Sequence, residues 1–116
     1  VIVLDESDAH GPAEQIRAQI AALIRAGELA AESRLPPVRQ LAGDLRVAPG
    51  TVAKAYKELE AAGMVRAGRA AGTRVNPGQV IAAPALTEAV AFGRAARDAG
   101  LSLAEAQSLL AAGWNA

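Results

Sequence analysis

Cysteine is absent from the chain. That excludes a disulfide framework and any thiolate-held metal centre. Histidine occurs once, as His10 in a polar N-terminal segment, so there is no histidine cluster to hold a metal or to activate a nucleophile. Aromatic residues are almost missing: one Phe, one Tyr and one Trp accompany an apolar fraction of 52% carried by Ala, Leu and Val. A core of such small residues packs closely and favours helices lying against each other over a deep aromatic-lined pocket. No nucleophile, base and orienting group fall into a recognisable arrangement, so neither catalysis nor a cofactor nor a metal is expected.

Long uncharged apolar runs are missing too. The Ala-rich stretch from Val80 to Ala91 is broken by Pro84 and Glu88, and a membrane span needs about 18 consecutive apolar residues. Residues Val1 to His10 lack the basic segment and apolar core of a secretory signal. A cytoplasmic location without membrane attachment is the expectation. The 116 residues suit one domain, or one domain with a short appendage.

What is present is an uneven distribution of charge. The formal net charge is zero, yet up to Ser33 only Arg17 and Arg25 stand against six acidic residues. From Arg34 to Arg74 the balance reverses, with Arg34, Arg39, Arg46, Lys54, Lys57, Arg66, Arg69 and Arg74 against Asp44, Glu58 and Glu60. A basic middle inside a neutral chain is the footprint a polyanion would need, although a solvated helical face would have the same composition.

Periodicity places five helices. Ile16, Ile20, Leu23 and Ile24 recur at helical spacing after Pro12 and before Gly27, predicting a first helix from Pro12 to Ala26. Pro36 and Pro37 lead into a short second helix, Val38 to Leu45, which buries Val38, Leu41, Ala42 and Leu45. Residues Arg46 to Ala48 form the turn, and Pro49 opens a third helix that runs to Ala62, with Val52, Ala55, Tyr56 and Leu59 on or near its inward stripe. Neither the second nor the third helix has a capping Ser, Thr, Asp or Asn, an omission that costs about 0.5 to 2 kcal/mol each. Met64 to Arg69 and Thr73 to Asn76 read as strands of a small hairpin. Val1 to Leu4 reads as an edge strand or ordered arm.

After Pro84 an Ala-rich helix runs from Ala85 to Asp98 and stops at Gly100. Ser102 and Glu105 then have the spacing of a capping box, with Leu101 placed as a hydrophobic staple. Two short amphipathic helices cannot bury their apolar faces alone, so Leu86, Val90, Gly93, Leu101, Leu103, Ala106, Leu109 and Leu110 are candidates to pack on the first domain or on a partner chain. The architecture expected is mainly α with a small β-hairpin: a winged helix-turn-helix with an N-terminal arm over residues 1–77, and a two-helix segment over residues 78–116.

Residues Pro12 to Val75 resemble the DNA-binding domain of the GntR family of bacterial regulators. The resemblance rests on Pro12 and Glu14-Gln15-Ile16, Gly27-Glu28-Leu29, Arg34-Leu35-Pro36, Val38-Arg39-Gln40-Leu41-Ala42 and Leu45. Pro49, the run Thr51-Val52-Ala53-Lys54-Ala55-Tyr56, Glu58-Leu59-Glu60 and Gly63 are similar to the YtrA-type branch, as is the short two-helix tail. The resemblance implies a double-stranded DNA operator with a palindromic or near-palindromic sequence, a homodimer joined through the C-terminal segment, and repression of the protein's own operon, often one encoding an ABC transporter. It identifies no small-molecule effector.

In this reading the start of the third helix faces the major groove, with Ala48, Gly50, Thr51 and Lys54 as candidate contacts. Many relatives carry polar or basic side chains at the positions of Ala48, Gly50 and Ala53, so direct base readout is sparse and a close backbone approach at Gly50 partly replaces it. Arg39 matches a DNA-contacting arginine of the family, with a surface pair to Asp44 as its bland alternative. Arg34 either clamps a phosphate or forms an intradomain salt bridge, and Lys57 is a backbone contact or merely solvated. Tyr56 either touches a phosphate or belongs to the core with its hydroxyl at the rim. In the wing, Arg69, Gly72, Thr73 and Arg74 are the candidates; Ala71 stands where relatives carry a tip arginine, and Arg74 where they carry Phe. A non-catalytic protein-interaction or assembly module on the same scaffold is the alternative function.

Overall fold

Pro12 begins the first helix because its missing N–H costs nothing there and its fixed φ already suits helical backbone. The computed structural model describes residues 2–68, 72–81 and 83–115. The chain divides into two compact units, Val1–Val80 and Ile81–Ala116.

In the first unit, helix α1 (Pro12–Arg25) is followed by α2 (Val38–Leu45), α3 (Pro49–Ala61) and the strands β1 (Val65–Gly68) and β2 (Gly72–Val75). The strands pair antiparallel with Val65 opposite Val75, Arg66 opposite Arg74 and Ala67 opposite Thr73. This is the winged helix-turn-helix that the element order predicts. The core is built from Ile16, Ile20 and Ile24 of α1, Leu41 and Ala42 of α2, and Val52, Ala55, Tyr56 and Leu59 of α3, closed by Leu35, Met64, Val65 and Val75. Val38 and Leu45 pack against it but are only partly buried.

One element resolves between its two readings, and one differs from the sequence reading. Residues 2–4 are not a strand; they form an ordered arm held by two glutamines of α1. Gln19 exchanges hydrogen bonds with the Val3 backbone at 2.9 and 2.6 Å, and Gln15 does the same with Asp5 at 2.7 and 2.9 Å. Each side-chain amide thus supplies the donor and acceptor that a neighbouring strand would have offered, satisfying backbone groups that need partners. The difference is a strand-like segment before α2. Leu35 N–H donates to Thr73 O at 2.8 Å, Val75 N–H to Ser33 O at 3.0 Å, and Arg34 bridges antiparallel to Arg74. The wing is therefore backed by a third extended segment that no local pattern announces.

In the first unit the helix C-termini follow one rule with one exception. After α1 and α3 the chain turns through Gly27 and Gly63 at φ +80° and +74°, with Glu28 N–H bonding to Leu23 O and Met64 N–H to Leu59 O. This is the Schellman arrangement, which glycine enters without steric cost. Arg46 makes the same turn after α2 at φ 58°, with Val47 N–H bonding to Ala42 O at 3.0 Å. At the N-termini, Pro37 and Ala48 give α2 and α3 no side-chain cap, as their types require.

The second unit holds α4 (Ala83–Asp98) and α5 (Leu103–Gly113). Helix α4 begins two residues before the expected start, so Pro84 lies inside its first turn, where proline is tolerated. Gly100 at φ +79° ends it. The capping box of α5 is formed: Glu105 N–H donates to Ser102 Oγ at 3.1 Å and Ser102 N–H to Glu105 Oε1 at 2.9 Å. The hydrogen bond from the Ser102 backbone holds the Glu105 carboxyl below the usual carboxylate range. No helix among the described residues is long and apolar enough to cross a membrane.

Candidate nucleic-acid interface

The inward stripe of α3 leaves its opposite side free. Gly50, Ala53, Lys54, Lys57, Glu58 and Ala61 line one shallow groove along that side, with both lysines exposed. Neither Lys54 nor Lys57 forms an ion pair among the described residues. Thr51 is half-buried in the first turn, its N–H bonded to Ala48 O at 3.0 Å, and Ala48 is exposed at the N-cap. A side chain at Gly50 would meet nothing within 4 Å, so the backbone is open to close approach there. The helix N-terminus, Thr51 and Lys54 thus lie on one accessible end, where uncapped N–H groups add partial positive charge.

An acidic cluster borders this groove that charge counting did not locate. Arg17 of α1 forks onto Glu14, its Nε 3.0 Å from both carboxylate oxygens, and lies 4.0 Å from Glu58 Oε2. The hydrogen bond from Arg17 keeps the Glu14 carboxyl ionised below its ordinary range. One guanidinium between two carboxylates limits the negative charge beside Lys54 and Lys57.

Arg39 is exposed on α2 and makes no ion pair with Asp44. Tyr56 resolves to the second of its two readings. Its ring is 7% exposed in the core, and its hydroxyl donates to Pro36 O at 2.7 Å. Burial pushes its pKa up to about 12. It is therefore a structural link between α3 and the approach to α2, in keeping with the core reading of the two that the sequence left open.

At the wing, Gly72 at φ +71° opens β2, and Arg34 lies over it: a Cβ at Gly72 would be 2.9 Å from Arg34 Nη2 and 3.1 Å from Nε. Arg34 forms no salt bridge among the described residues, so its intradomain alternative is not realised. Thr73 is half-buried and gives its carbonyl to the strand-like segment. Arg74 Nη1 donates to Glu32 O at 2.7 Å. Arg66, which the sequence reading did not single out, donates to Asn76 Oδ1 at 2.9 Å and pairs with the Glu32 carboxylate. Arg69 lies outside the described residues, as do Ala70 and Ala71.

In the second unit Val90, Leu103, Leu109 and Leu110 are exposed by half or more, and Trp114 by 76%. Leu86, Gly93 and Leu101 are half-buried. Ala106 is 8% exposed in the single chain and has little surface to offer a partner. No group of His, Cys, Asp or Glu among the described residues is arranged to hold a metal ion.

Comparison with known proteins bears on this geometry. Residues 12–75 match the profile of the bacterial regulatory proteins of the gntR family. The chain is 50% identical over 60 residues to the HTH-type transcriptional regulator Rv1152 of Mycobacterium tuberculosis, across 52% of this chain and 50% of that protein. It is 43% identical over 60 residues to the HTH-type transcriptional repressor YtrA of Bacillus subtilis, across 52% of this chain and 46% of that one. The alignments thus span no more than half the length of these two relatives. Among solved structures, YtrA from Sulfolobus acidocaldarius, a GntR-family transcription factor, superposes with a TM-score of 0.63 and 28% identity over 83% of this chain and 98% of that one. With the profile covering the whole winged helix, the chain belongs to the gntR family of bacterial regulatory proteins.

Proposed function

We propose that this chain is a transcriptional repressor of the YtrA-like branch that binds a palindromic double-stranded DNA operator as a homodimer. The observation that carries the reading is the free side of α3, where Lys54 and Lys57 stand unpaired beside the open backbone of Gly50. Lys54 and Thr51 meet base edges or phosphates in the major groove, and Lys57 and Arg39 meet phosphates. The likeness to two YtrA proteins supports the branch.

Base-reading side chains are few, so specificity is shared between two copies. Each good bidentate base contact contributes about 1–3 kcal/mol of discrimination, and a dimer doubles their number. The second unit supplies the pairing surface through Val90, Leu103, Leu109 and Leu110. The regulated operon is the protein's own, with an ABC transporter as the class of gene product the branch suggests.

Selection of bound duplexes from random sequence tests this directly. The expected result is a palindrome whose half-sites are about 34–36 Å apart, or a multiple, so that both α3 helices face one side of the DNA. Failure to enrich any sequence at concentrations where the protein is dimeric would favour the protein-interaction module instead.

A further inference from the structure

Asn76 follows the last residue of β2 and closes on the C-terminal end of α3. Its N–H donates to Met64 O, its Nδ2 donates to Gly63 O, and its Oδ1 accepts from Arg66 Nη1, each at 2.9 Å. Arg66 orients the amide: with Oδ1 taken by a guanidinium, Nδ2 is the group left to face the Gly63 carbonyl. Gly63 and Met64 belong to the turn that ends α3, so the chain leaving the hairpin is fastened to that helix. Gly78 at φ +80° then turns the backbone, and Gln79 Nε2 reaches the same Gly63 carbonyl at 3.4 Å and Pro77 O at 3.2 Å. A carbonyl oxygen has two lone pairs and can accept both amides. Val80 lies beside the turn that ends α1, where a Cβ on Gly27 would be 3.8 Å from Val80 Cγ2.

By composition Asn76-Pro77-Gly78-Gln79-Val80 is an ordinary connection, since Pro-Gly marks a turn or loop. The structure keeps it with the winged helix: the first compact unit ends at Val80, and α4 begins at Ala83. Seven residues separate Val75 from Ala83. Seven free residues would reach about 23–25 Å, whereas the two at positions 81–82 reach about 7 Å. Moving one half-site of a palindrome by one base pair shifts it by about 3.4 Å and rotates it by about 34–36° around the duplex. A long free connection absorbs several such steps. A short one, anchored to the helix that reads the DNA, resists both the shift and the rotation.

We infer that Asn76, backed by Gln79, is a spacing-determining residue: it fastens the outgoing chain to the end of α3 and so sets which half-site separation a two-copy protein accepts, an assignment that rests on the homodimer and palindrome proposed above. Asn76 acts through α3 and the connection rather than by touching a base, which makes it a positioning residue. Its signature is a preference among spacings, while the affinity of one protomer for one half-site belongs to α3.

The test is binding of the full chain to duplexes that carry the selected half-site twice, at the selected spacing and at spacings one and two base pairs shorter or longer, with a duplex carrying it once as the reference. In the wild type, affinity is expected to fall about tenfold or more for each base pair of change, because the gain from a second contact is lost when geometry forbids both. Asn76→Asp/Gln79→Ala removes both side-chain donors to Gly63 O and keeps an oxygen for Arg66. Its loss is expected to shrink to about threefold or less per base pair, with wild-type affinity for the single half-site. Asn76→Ala/Gln79→Ala should match it without the added carboxylate. Wild-type spacing preference in both variants overturns the assignment and leaves the DNA-binding reading standing, as does a wild type indifferent to spacing. Affinities for all duplexes that fall together with the melting temperature give Asn76 a purely structural role and overturn it equally. A wild type that binds the doubled half-site as a single copy, no more tightly than the single one, overturns the homodimer reading along with it.

Discussion

The Tyr56 hydroxyl donates a 2.7 Å hydrogen bond to the Pro36 carbonyl, tying α3 to the rigid Pro36-Pro37 approach to α2 across 20 residues of sequence. The angle between the helices of the helix-turn-helix is thus held at both ends: by the turn at Arg46 to Ala48, and by this bond. Tyr56→Phe keeps the buried ring and removes only the bond. Unfolding in urea is expected to show a loss of about 0.5–1.5 kcal/mol, toward the lower end because Pro36 is exposed and its carbonyl can return to water. The same variant changes the alkaline limb. An acid whose pKa is raised on folding, here from 10.0 to about 12, binds its proton more tightly in the folded state. Its contribution to stability is therefore complete below pH 10 and is lost as pH rises toward about 12. Wild-type stability should fall over that window by more than that of Tyr56→Phe, and parallel curves would refute the assignment.

Arg46 occupies a left-handed position that glycine fills after α1 and α3. A non-glycine residue there costs about 1–2 kcal/mol, and glycine returns about 0.5–1 kcal/mol of that in chain entropy. Arg46→Gly is expected to gain about 0.5 kcal/mol in thermal or urea unfolding. A clear loss would mean that the side chain makes a stabilising contact.

The helices were legible in the sequence because most of their ends are punctuated: Pro12 and Pro49 open, Gly27, Gly63 and Gly100 close, Ser102 caps, and the apolar spacing between them is helical. The extended segment at residues 32–35 was not. Glu32-Ser33-Arg34-Leu35 has no alternation long enough to read as a strand, and its partners Thr73 to Val75 lie about forty residues further on, where register is a property of the fold. For the same reason the sequence showed Arg34, Arg66 and Arg74 as basic residues but not as neighbours. Tyr56 stayed ambiguous because its acceptor is a backbone carbonyl, which any residue at position 36 would provide. Arg39, Thr51 and Lys54 were legible as candidates through the resemblance to the GntR family, which places them on the helix-turn-helix.

Gly50 separates folding from recognition. Nothing obstructs a methyl group there, and its backbone is not in the left-handed region. Gly50→Ala should stabilise the fold by about 0.4–1 kcal/mol through the unfolded chain. The added methyl group lies on the groove shared with Lys54 and Lys57, so operator affinity should fall several-fold as stability rises. Calorimetry and gel shift on one preparation read both quantities. Equal or tighter binding would remove Gly50 from the contact surface.

Leu103 and Leu110 lie seven residues apart, two turns of α5, and are 64% and 52% exposed. Large apolar side chains repeated on one exposed stripe of a short helix are a poor match to water, and the surface each would bury on pairing contributes about 1.5–3 kcal/mol. If a second copy covers them, Leu103→Glu/Leu110→Glu places four carboxylates in one interface and should give a monomer in sedimentation equilibrium at concentrations where the wild type is dimeric. The core of the first unit does not include either residue, so the winged helix should melt as before. Because a monomer engages only one half of a palindrome, binding should weaken steeply on the full operator and little on an isolated half-site. A variant that remains dimeric, or that loses both affinities together, would move the pairing surface away from α5.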